Sequence, residues 1–598
     1  MNPYQHGKGA QAAGPGPGRS GVHGMFRLDG GPVDPGDAAR LGLGFEEESP
    51  SVLAATDLSE PWAASTLVEP NCTTCLAGWI DGQQELAARL GLRPDSSPAL
   101  IARAALDRYG QETPLHLCGE WTLLRCDRRT GRIEVTAMSS IARRDPVFVA
   151  RAGVRLAISS DLHALARLDW VDSAIDETGL LGGLGRAVLR DKVQRRTIYR
   201  GVEWLEPAHG LVFAGDGPAL GLTCDPLALP GQWSGGPADA CAEAEALLRQ
   251  IMRERIARAG SAAVLLSGGL DSSLLAWAAA VECADARLLS LTSAAPPGCV
   301  VADEAAEARM VAESLGIGNL PITPGPELDS YRPSAKVLAG ANGPPLGNRH
   351  CLTETFQFSA REHGINLLFN GSYGEGTLTA RLMQQSPLAG LRGLAKRVLS
   401  RSKEVLPSPG DAWFHVKLAA HQLASLPAEL TASQDHAEAN AAKGQFGYLS
   451  VVPKALGHPN AFYAGAVRMD FPFRDMRLLR FFASLPVSIV RTFGADRGMA
   501  RRILAGQLPD AIVSRTRGRP ADPDHYARLQ RQAPAARKRI PGYRQAGLDA
   551  WLDLDWLELE LGRIANQGVD GVDHANRTQL TAMAAEYLLW LQDGARSE

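Results

Sequence analysis

The sequence has little of what would place a protein in a membrane, outside the cell or on a nucleic acid. Its 598 residues contain no apolar run long enough to span a bilayer, and the N-terminus has no apolar stretch of the kind a secretory signal needs. The formal net charge of −3 gives no general attraction to nucleic acid or anionic lipid. Nine scattered cysteines indicate reduced thiols, so we expect a cytoplasmic protein without a membrane span.

Two common ligand-binding patterns are also missing. No G-x-x-x-x-G-K-[ST] loop occurs, and a formal G-x-G-x-x-G that ends at Gly21 follows no apolar strand. It lies in a segment rich in Gly, Pro, Gln and Ala, residues 1–21, which we expect to be disordered. Cys72 and Cys75 form a lone C-x-x-C without a second pair at zinc spacing, so a place in a strand or core is favoured over a metal site.

The most informative stretch begins at residue 264. An apolar run predicts a buried strand, two glycines follow, and an apolar helix is expected from about Leu274 to Val281. Gly268 and Gly269 let the backbone approach a ligand and direct N–H groups at it. The positive end of the helix and three hydroxyls complete an anion-binding loop suited to pyrophosphate; the hydroxyls are those of Ser267, Ser272 and Ser273.

Asp271 stands within this loop. A carboxylate there would repel phosphate unless a cation lay between them, so we predict that Asp271 binds Mg²⁺. Leu265, Leu266 and the predicted strand that contains Thr292 are expected to line an adenine pocket beside the loop.

Alternating strands and helices after residue 264 predict a parallel sheet with helices on both faces. Ligands of such sheets bind at the carboxyl ends of the strands. Asn370 ends one predicted strand and opens a glycine-rich loop, residues 370–376, whose one carboxylate is Glu375. We therefore predict a second part of the site in this loop, with Gly371 beside the nucleotide.

The domain organisation follows from the change in pattern along the chain. Short strands with polar turns between them, over residues 22–215, predict an α+β domain built on stacked sheets. Residues 216–237 are rich in Gly and Pro and predict a linker. Residues 238–598 are expected to form the α/β domain, which opens with a long amphipathic helix.

Both predicted domains resemble the asparagine synthetase family. S-G-G-x-D-S-S at residues 267–273 is similar to the pyrophosphate loop of the ATP-pyrophosphatase group, and segments that begin at Gly78, Leu117, Ser159 and Thr197 are similar to parts of the family's glutaminase domain. The resemblance implies cleavage of ATP between its α- and β-phosphates and transfer of AMP to a substrate. It also implies a second Mg²⁺ ligand in the loop 370–376, where Glu375 replaces the family's aspartate.

The glutaminase-like part departs from the family at the residues that release ammonia. The family uses a cysteine at the start of the mature chain, with its own α-amine as base; His23 occupies that position here and is internal. An imidazole has no thiolate, and an internal residue has no free α-amine. Ser139 and Ser140 stand where an Arg-Asp pair is expected. We therefore predict an inactive glutaminase-like domain that serves as a packing scaffold.

Two lysines of the family pattern are arginines here, Arg497 and Arg517. Arginine stays charged and does not act as a base at neutral pH, but it pairs with phosphate and with a developing oxyanion. We expect both arginines to stabilise charge during catalysis. The base that removes a proton from the attacking amine is not identified by the sequence; Tyr373 and Glu354 are candidates.

Residues 520–529 are similar, more loosely, to a segment of proteobacterial lasso peptide cyclases. These homologues adenylate an Asp or Glu side chain of a core peptide, and the peptide's N-terminal amine closes a macrolactam. The resemblance implies a precursor peptide as substrate, with a leader-peptide protease and a leader-binding protein as partners. The basic helix expected at residues 389–403 either faces solvent or docks a partner or acidic peptide.

Two other interpretations stay open. A different amide synthetase of the group, β-lactam synthetase-like or an ammonia-dependent asparagine synthetase, would share the ATP site and act on a small amino acid. A nucleotide-binding scaffold without chemistry is the alternative of another class. The changes at Glu375, Arg497 and Arg517 favour the scaffold, whereas the intact Asp271-Ser-Ser sequence argues against it.

Overall fold

The chain divides into two compact units, described separately below. Unit 1 comprises residues 1–58, 63–175 and 195–224, and unit 2 comprises residues 59–62, 176–194 and 225–598. The structure, a computed structural model, describes residues 21–43, 51–56, 65–140, 142–143, 146–184, 195–215, 217, 219–223, 233–283, 287–344, 347–380, 416–425, 467–494, 496–516, 518–569 and 571–596.

Unit 1 contains two antiparallel sheets. The first has the strand order β2-β1-β8-β7-β9 and the second the order β11-β10-β6-β5-β4-β3. The strands are β1 Gly21–Arg27, β2 Ser51–Thr56, β3 Ser65–Glu69, β4 Cys72–Gly78, β5 Trp121–Asp127, β6 Glu134–Ser139, β7 Val147–Ala152, β8 Arg155–Ser159, β9 Val202–Leu205, β10 His209–Ala214 and β11 Leu220–Thr223.

The alternation of side chains along these strands builds the core of unit 1. Val22 and Phe26 of the first sheet and Leu124 and Val135 of the second belong to one buried apolar cluster, so the sheets stack face to face as predicted. A second cluster lies between the second sheet and the helices that cover it. The helices of unit 1 are α1 Pro35–Arg40, α2 Gln83–Arg89, α3 Pro98–Tyr109, α4 Thr113–His116 and α5 Leu162–Ala166.

Two boundaries differ from the sequence prediction. Gly21 belongs to β1 rather than to the predicted disordered segment, of which residues 1–20 lie outside the described residues. β11 lies inside the predicted linker 216–237, because Leu220 and Leu222 pair with β10 at the edge of the second sheet. The Gly- and Pro-rich composition predicted the turns around this short strand, and for that reason the strand itself was not predicted.

Unit 2 is built on a parallel sheet of order β14-β13-β12-β15-β16, in which each strand runs parallel to its neighbours. The strands are β12 Ser261–Leu265, β13 Arg287–Ser293, β14 Gly318–Ile322, β15 Leu367–Phe369 and β16 Arg468–Asp470. The α/β expectation for this part of the chain is confirmed.

Helices connect and surround the sheet of unit 2. In the part of the chain that the structure describes they are α6 Glu177–Leu184, α7 Pro237–Ala259, α8 Leu270–Glu282, α9 Ala305–Leu315, α10 Ala335–Gly340, α11 His350–Glu362, α12 Ala420–Ser425, α13 Met476–Ser484, α14 Val487–Thr492, α15 Gly498–Leu504, α16 Asp510–Val513, α17 His525–Arg537, α18 Ile540–Gln545, α19 Leu554–Gln567 and α20 Val572–Arg596. None of the helices in the described ranges is long and apolar enough to cross a membrane. The helix predicted at 389–403 lies outside the described residues.

The strand order places a topological switch point between β12 and β15. From β12 the chain adds β13 and then β14 on one side, and it returns to add β15 on the other side. The loops after β12 and β15 therefore diverge at one edge of the sheet and leave a crevice, which is where open parallel sheets bind ligands. These are the two loops that the sequence marks.

Candidate functional site

The loop after β12 is closed by its own hydroxyls. The backbone N–H of Ser267 donates to the Ser272 hydroxyl at 3.1 Å, and that hydroxyl donates to the Gly269 carbonyl at 3.1 Å. The Ser267 hydroxyl lies 3.1 Å from the Ser272 hydroxyl and accepts from the N–H of Gly269 at 3.3 Å. Two of the three predicted ligand hydroxyls are thus used to shape the loop.

The helix after this loop starts earlier than predicted. α8 begins at Leu270 instead of about Leu274, because the glycines provide the turn and the sequence from Leu270 onward is free to coil. In the described structure, the backbone N–H groups of Gly268, Leu270 and Ser272 make no hydrogen bond. The Ser273 hydroxyl is buried and likewise has no partner among the described residues. Unused donors at a helix N-terminus form an anion-binding site.

Gly268 fixes the loop against α9. Its φ of +68° lies in the left-handed region, and a Cβ there would stand 2.6 Å from the Cβ of Glu307. Any other residue would be strained by its backbone and would also collide with α9. The close approach explains why glycine is required at this point of the loop.

The loop after β15 packs directly on the start of α8. A Cβ on Gly371 would lie 2.9 Å from the backbone nitrogen of Ser272, and one on Gly374 would lie 2.4 Å from Asp271 Oδ1. The Thr379 hydroxyl donates to the same Oδ1. The second loop therefore closes over Asp271, so the two predicted loops form one site.

The carboxylate of Asp271 is the most perturbed group of this site. Its side chain is 18% exposed, and Oδ2 lies 3.2 Å from Nη1 of Arg497. Burial raises the pKa of Asp271, and the nearby charge of Glu375 raises it further, whereas Thr379 and Arg497 lower it. Titratable groups that are buried and paired in a crevice are typical of functional sites.

The residues present fit a magnesium ion. Mg²⁺ is bound in proteins by one or two carboxylates together with water and substrate phosphates, and it needs no cage of protein ligands. Asp271 and the exposed Glu375 bring two carboxylates close enough to repel each other. No group of three or more His, Cys, Asp or Glu side chains suited to a metal occurs within the described ranges.

Arg497 reaches Asp271 from the start of α15. Its backbone is left-handed, with φ of 55°, and its N–H donates to the carbonyl of Ala380 at 3.0 Å. The Nε atom is buried and has no partner in the described part of the chain. Non-glycine residues in this conformation are uncommon, so the strained backbone here is consistent with a functional role.

The other predicted site residues have these positions. Leu265 ends β12, Leu266 follows it and is buried, and the Thr292 hydroxyl, also buried, accepts from the side-chain amide of Asn319 at 3.2 Å. The Tyr373 ring packs edge-on against Phe471, with ring centroids 5.4 Å apart.

The structure does not place the last two candidates, Glu354 and Arg517, at Asp271. Glu354 lies on α11, and no described contact joins it to that carboxylate. Arg517 lies outside the described residues.

Sequence reasoning missed two residues that shape the site, Thr379 and Glu304. Thr379 lies four residues beyond Glu375, at a point where no motif drew attention to it. Glu304 lies just before α9, and its carboxylate binds Arg515, with Nη2 at 3.0 Å. The acidic residues near Glu304 and the arginines near Arg515 were the available signal in the sequence, and only the fold joins the two.

In unit 1 the three positions on which the prediction of an inactive glutaminase-like domain rests are buried and hydrogen-bonded. His23 lies in the middle of β1, with Nδ1 2.9 Å from the Ser159 hydroxyl. Ser139 accepts from Nη1 of the buried Arg143 at 3.0 Å, and Ser140 accepts from the N–H of Trp121 at 3.1 Å. His23, Ser139 and Ser140 therefore help to hold neighbouring segments of the sheets together.

Cys72 and Cys75 are free thiols of β4, both buried. Residues three apart in a strand point to opposite faces of the sheet, so they cannot share a metal ion. Burial raises the pKa of Cys75 to about 11, which leaves it protonated and unreactive. These cysteines have the structural place that the sequence favoured.

Residues 243–371 and 453–592 match the family model of asparagine synthase. The match covers the loop after β12 and its first segment ends within the loop after β15, which are the two loops of the site. It shows similarity to asparagine synthase over this part of unit 2 and supports an ATP-dependent, amide-forming ligase domain there. No curated protein sequence gave a match.

Two solved structures are similar to this chain at a low level. Glutamine phosphoribosylpyrophosphate amidotransferase from B. subtilis, complexed with ADP and GMP, is 11% identical over 60% of this chain and 71% of its own, with a TM-score of 0.21. A structure described as the allosteric regulatory enzyme of purine biosynthesis is 10% identical over 64% of this chain and 72% of its own, with a TM-score of 0.21. Similarity of this size carries no functional argument.

Proposed function

Starting from an asparagine synthase domain whose two loops meet at one carboxylate, we propose that this chain is an ATP-dependent enzyme that closes a macrolactam in a lasso peptide. The observation that carries the ATP-dependent part is the position of Asp271. It lies at the start of α8 beside unused N–H donors and is enclosed by Thr379 and Arg497. A buried carboxylate next to an anion-binding loop is suited to Mg²⁺ and pyrophosphate and has no evident use in a scaffold.

The proposed reaction has two steps. In the first, an oxygen of an Asp or Glu side chain of the peptide attacks the α-phosphorus of ATP, the bond to the β-phosphate breaks, and pyrophosphate leaves. In the second, the N-terminal amine of the same peptide attacks the acyl adenylate, an amide bond forms, and AMP leaves. The ammonium proton is lost to a base, for which Tyr373 and Glu354 are the candidates.

The residues of the site have different electrostatic roles: some would bind phosphate, some would stabilise developing charge, and some would hold Mg²⁺. The N–H groups of Gly268, Leu270 and Ser272 are available to hydrogen-bond the pyrophosphate oxygens. The guanidinium of Arg497 stabilises charge that develops on the leaving group, and Arg517 is proposed for the same role. Asp271 and Glu375 would hold Mg²⁺, which supplies further neutralisation of phosphate charge when bound.

The source of the amine distinguishes this proposal from asparagine synthesis. With His23 buried in place of a cysteine nucleophile, unit 1 lacks the thiol and free α-amine with which the family releases ammonia from glutamine. An amine carried by the substrate itself is present at high effective concentration. The proposed substrate is therefore the core of a precursor peptide, with a leader-binding protein and a leader protease as partners.

The experiment uses the purified chain with ATP, Mg²⁺ and a linear core peptide taken from a short precursor encoded beside the gene. We expect AMP and pyrophosphate in equal amounts and a peptide product lighter by one water. Blocking the peptide's N-terminus by acetylation should prevent that loss of mass and still permit peptide-dependent ATP–pyrophosphate exchange. The Asp271→Asn variant should lose both activities by at least about 100-fold, whereas the exposed control Asp549→Asn should keep them.

Other results would assign a different function. Exchange with a small amino acid and none with a peptide would establish a β-lactam synthetase-like or asparagine-forming enzyme. Nucleotide binding without AMP formation from any carboxylate would establish a scaffold. Ammonia release from glutamine would contradict the role proposed for unit 1.

A further inference from the structure

The two ends of the nucleotide loop contact two different helices. At one end, Gly268 packs against the first turn of α9, where a Cβ on Gly268 would lie 2.6 Å from Glu307 Cβ. At the other end, Asp271 pairs with Arg497 at the start of α15. Arg515 connects the start of α9 to α15, and Arg519 adds further contacts with α9.

The contacts with α9 are made by two carboxylates. Glu304 Oε1 accepts from Nη2 of Arg515 at 3.0 Å and from the backbone N–H of Arg519 at 2.9 Å. Glu307 Oε1 lies 3.0 Å from Nη2 of Arg519. The side chains of Glu304 and Arg515 are 8% and 14% exposed, so this ion pair is largely shielded from solvent.

The contacts with α15 are made by one arginine. Nη2 of Arg501 donates to the carbonyl of Arg515 at 2.8 Å and to Asp496 Oδ2 at 2.8 Å, and Nη1 donates to the carbonyl of Val513. Arg501 stands one helical turn after Arg497, and its N–H donates to the carbonyl of Arg497 at 3.1 Å. The guanidinium of Arg501 therefore fixes the helix start that presents Arg497 to Asp271.

Together these contacts form a closed ring. It runs from Gly268 to the first turn of α9, through Glu304 to Arg515, through Arg501 to Arg497, and back to the nucleotide loop at Asp271. Neither Glu304 nor Arg501 contacts Asp271 in the described structure. Both act through the residues between them, which is how a remote contact orients a catalytic side chain.

We propose that Glu304 is a positioning residue, which through Arg515 and Arg501 holds Arg497 and the nucleotide loop in the geometry that binds the phosphates of ATP. The inference rests on the proposed function only in taking ATP as the ligand of the loop. Charge repulsion explains these ion pairs, because a carboxylate so near a phosphate site is unfavourable unless it is neutralised. Arg515 neutralises Glu304, and Arg519 neutralises Glu307.

The test compares Glu304→Gln with Glu313→Gln, an exposed glutamate on α9, the helix that Glu304 precedes. The affinity of the full chain for a non-hydrolysable ATP analogue with Mg²⁺ is measured, together with the KM for ATP, the KM for the peptide and kcat. We expect Glu304→Gln to weaken analogue binding and to lower kcat/KM for ATP by about 10- to 100-fold with the peptide KM unchanged. The control variant should match the unmodified protein.

Arg501→Lys provides a second, independent break in the ring. Lysine keeps the positive charge, but it cannot make the bidentate contact of the guanidinium with the carbonyls of Val513 and Arg515. We expect the same pattern as for Glu304→Gln, and a double variant no worse than about the poorer single one. This variant decides the question if Glu304→Gln fails to fold, which circular dichroism and thermal unfolding report.

The outcomes separate this inference from the proposed function. If the unmodified chain binds no nucleotide, the proposed function fails. If it binds nucleotide and both ring variants bind equally well, the positioning role of Glu304 is wrong and the proposed function stands. Loss of peptide affinity in place of ATP affinity would also overturn the inference.

Discussion

Gly374 offers a sharp test of how closely the two loops must approach. Its Cα faces Asp271, and a methyl group added by Gly374→Ala would stand 2.4 Å from Asp271 Oδ1 and 2.4 Å from the Thr379 hydroxyl. Contacts between such atoms are normally about 3.4 Å or longer, so the side chains must move apart by about 1 Å. The hydrogen bond from Thr379 to Asp271 cannot survive that displacement.

The expected cost follows from the displacement. Overpacking of a close-packed site costs about 1–3 kcal/mol of folding free energy. Moving a catalytic group by about 1 Å costs about 100-fold in rate, which corresponds to about 2.7 kcal/mol of transition-state stabilisation. We therefore expect Gly374→Ala to lower kcat for AMP formation about 100-fold while the protein stays folded at 25 °C.

The assay is AMP formation at saturating ATP and peptide, with urea unfolding measured alongside. Gly542→Ala is the matched control, because Gly542 lies in α18 and a methyl group added there would have no described neighbour within 4 Å. That change should leave kcat unchanged and stabilise the protein by about 0.5–1 kcal/mol through helix propensity. A Gly374→Ala variant with full activity would refute the close packing of the second loop on Asp271.

Single substitutions at Arg497, His23 and His350 test three other parts of the structure. Arg497→Lys should lower kcat about tenfold and Arg497→Ala about 1,000-fold in steady-state AMP formation, because lysine keeps the charge beside Asp271 but not the guanidinium geometry. His23→Cys should release no ammonia from glutamine, because residue 23 is buried within β1 and has no α-amine; an ammonia assay that detected release would contradict this. Burial lowers the pKa of His350 to about 4 from 6.5, so the unfolded chain takes up the proton first and His350 destabilises the fold as pH falls from 6.5 towards 4. His350→Gln should therefore reduce, by about 1–2 kcal/mol, the difference between the free energies of unfolding in urea at pH 7 and pH 5. An unchanged difference would show that His350 is accessible to protons in the folded state.

Much of the site was predictable because its residues are close together in sequence. A strand, two glycines and a helix start in one short stretch predict the loop between β12 and α8 from local geometry alone, and Asp271 lies in the first turn of that helix. The strand before Asn370 likewise marked the second loop. Periodicity was sufficient for the parallel sheet, since buried parallel strands are apolar and alternate with helices.

Other features were not predictable from local patterns. The helix start at Leu270 was placed four residues late, because serine and aspartate are typical of turns when their hydrogen-bond partners are unknown. β11 was not predicted, because the residues around it are typical of turns. A short edge strand such as β11 is defined by its pairing with β10, and its own sequence has no clear strand pattern.

The sequence by itself determined the glycine- and serine-rich loop between a strand and a helix and the parallel sheet around it, because both follow from residue type and local spacing. Only the tertiary structure decided that Thr379 and Arg497 enclose Asp271 and that Glu304 is bound to Arg515. These contacts join residues between 100 and 230 positions apart. Local preferences do not extend that far, and the folding of the β12–β15 sheet brings the partners together.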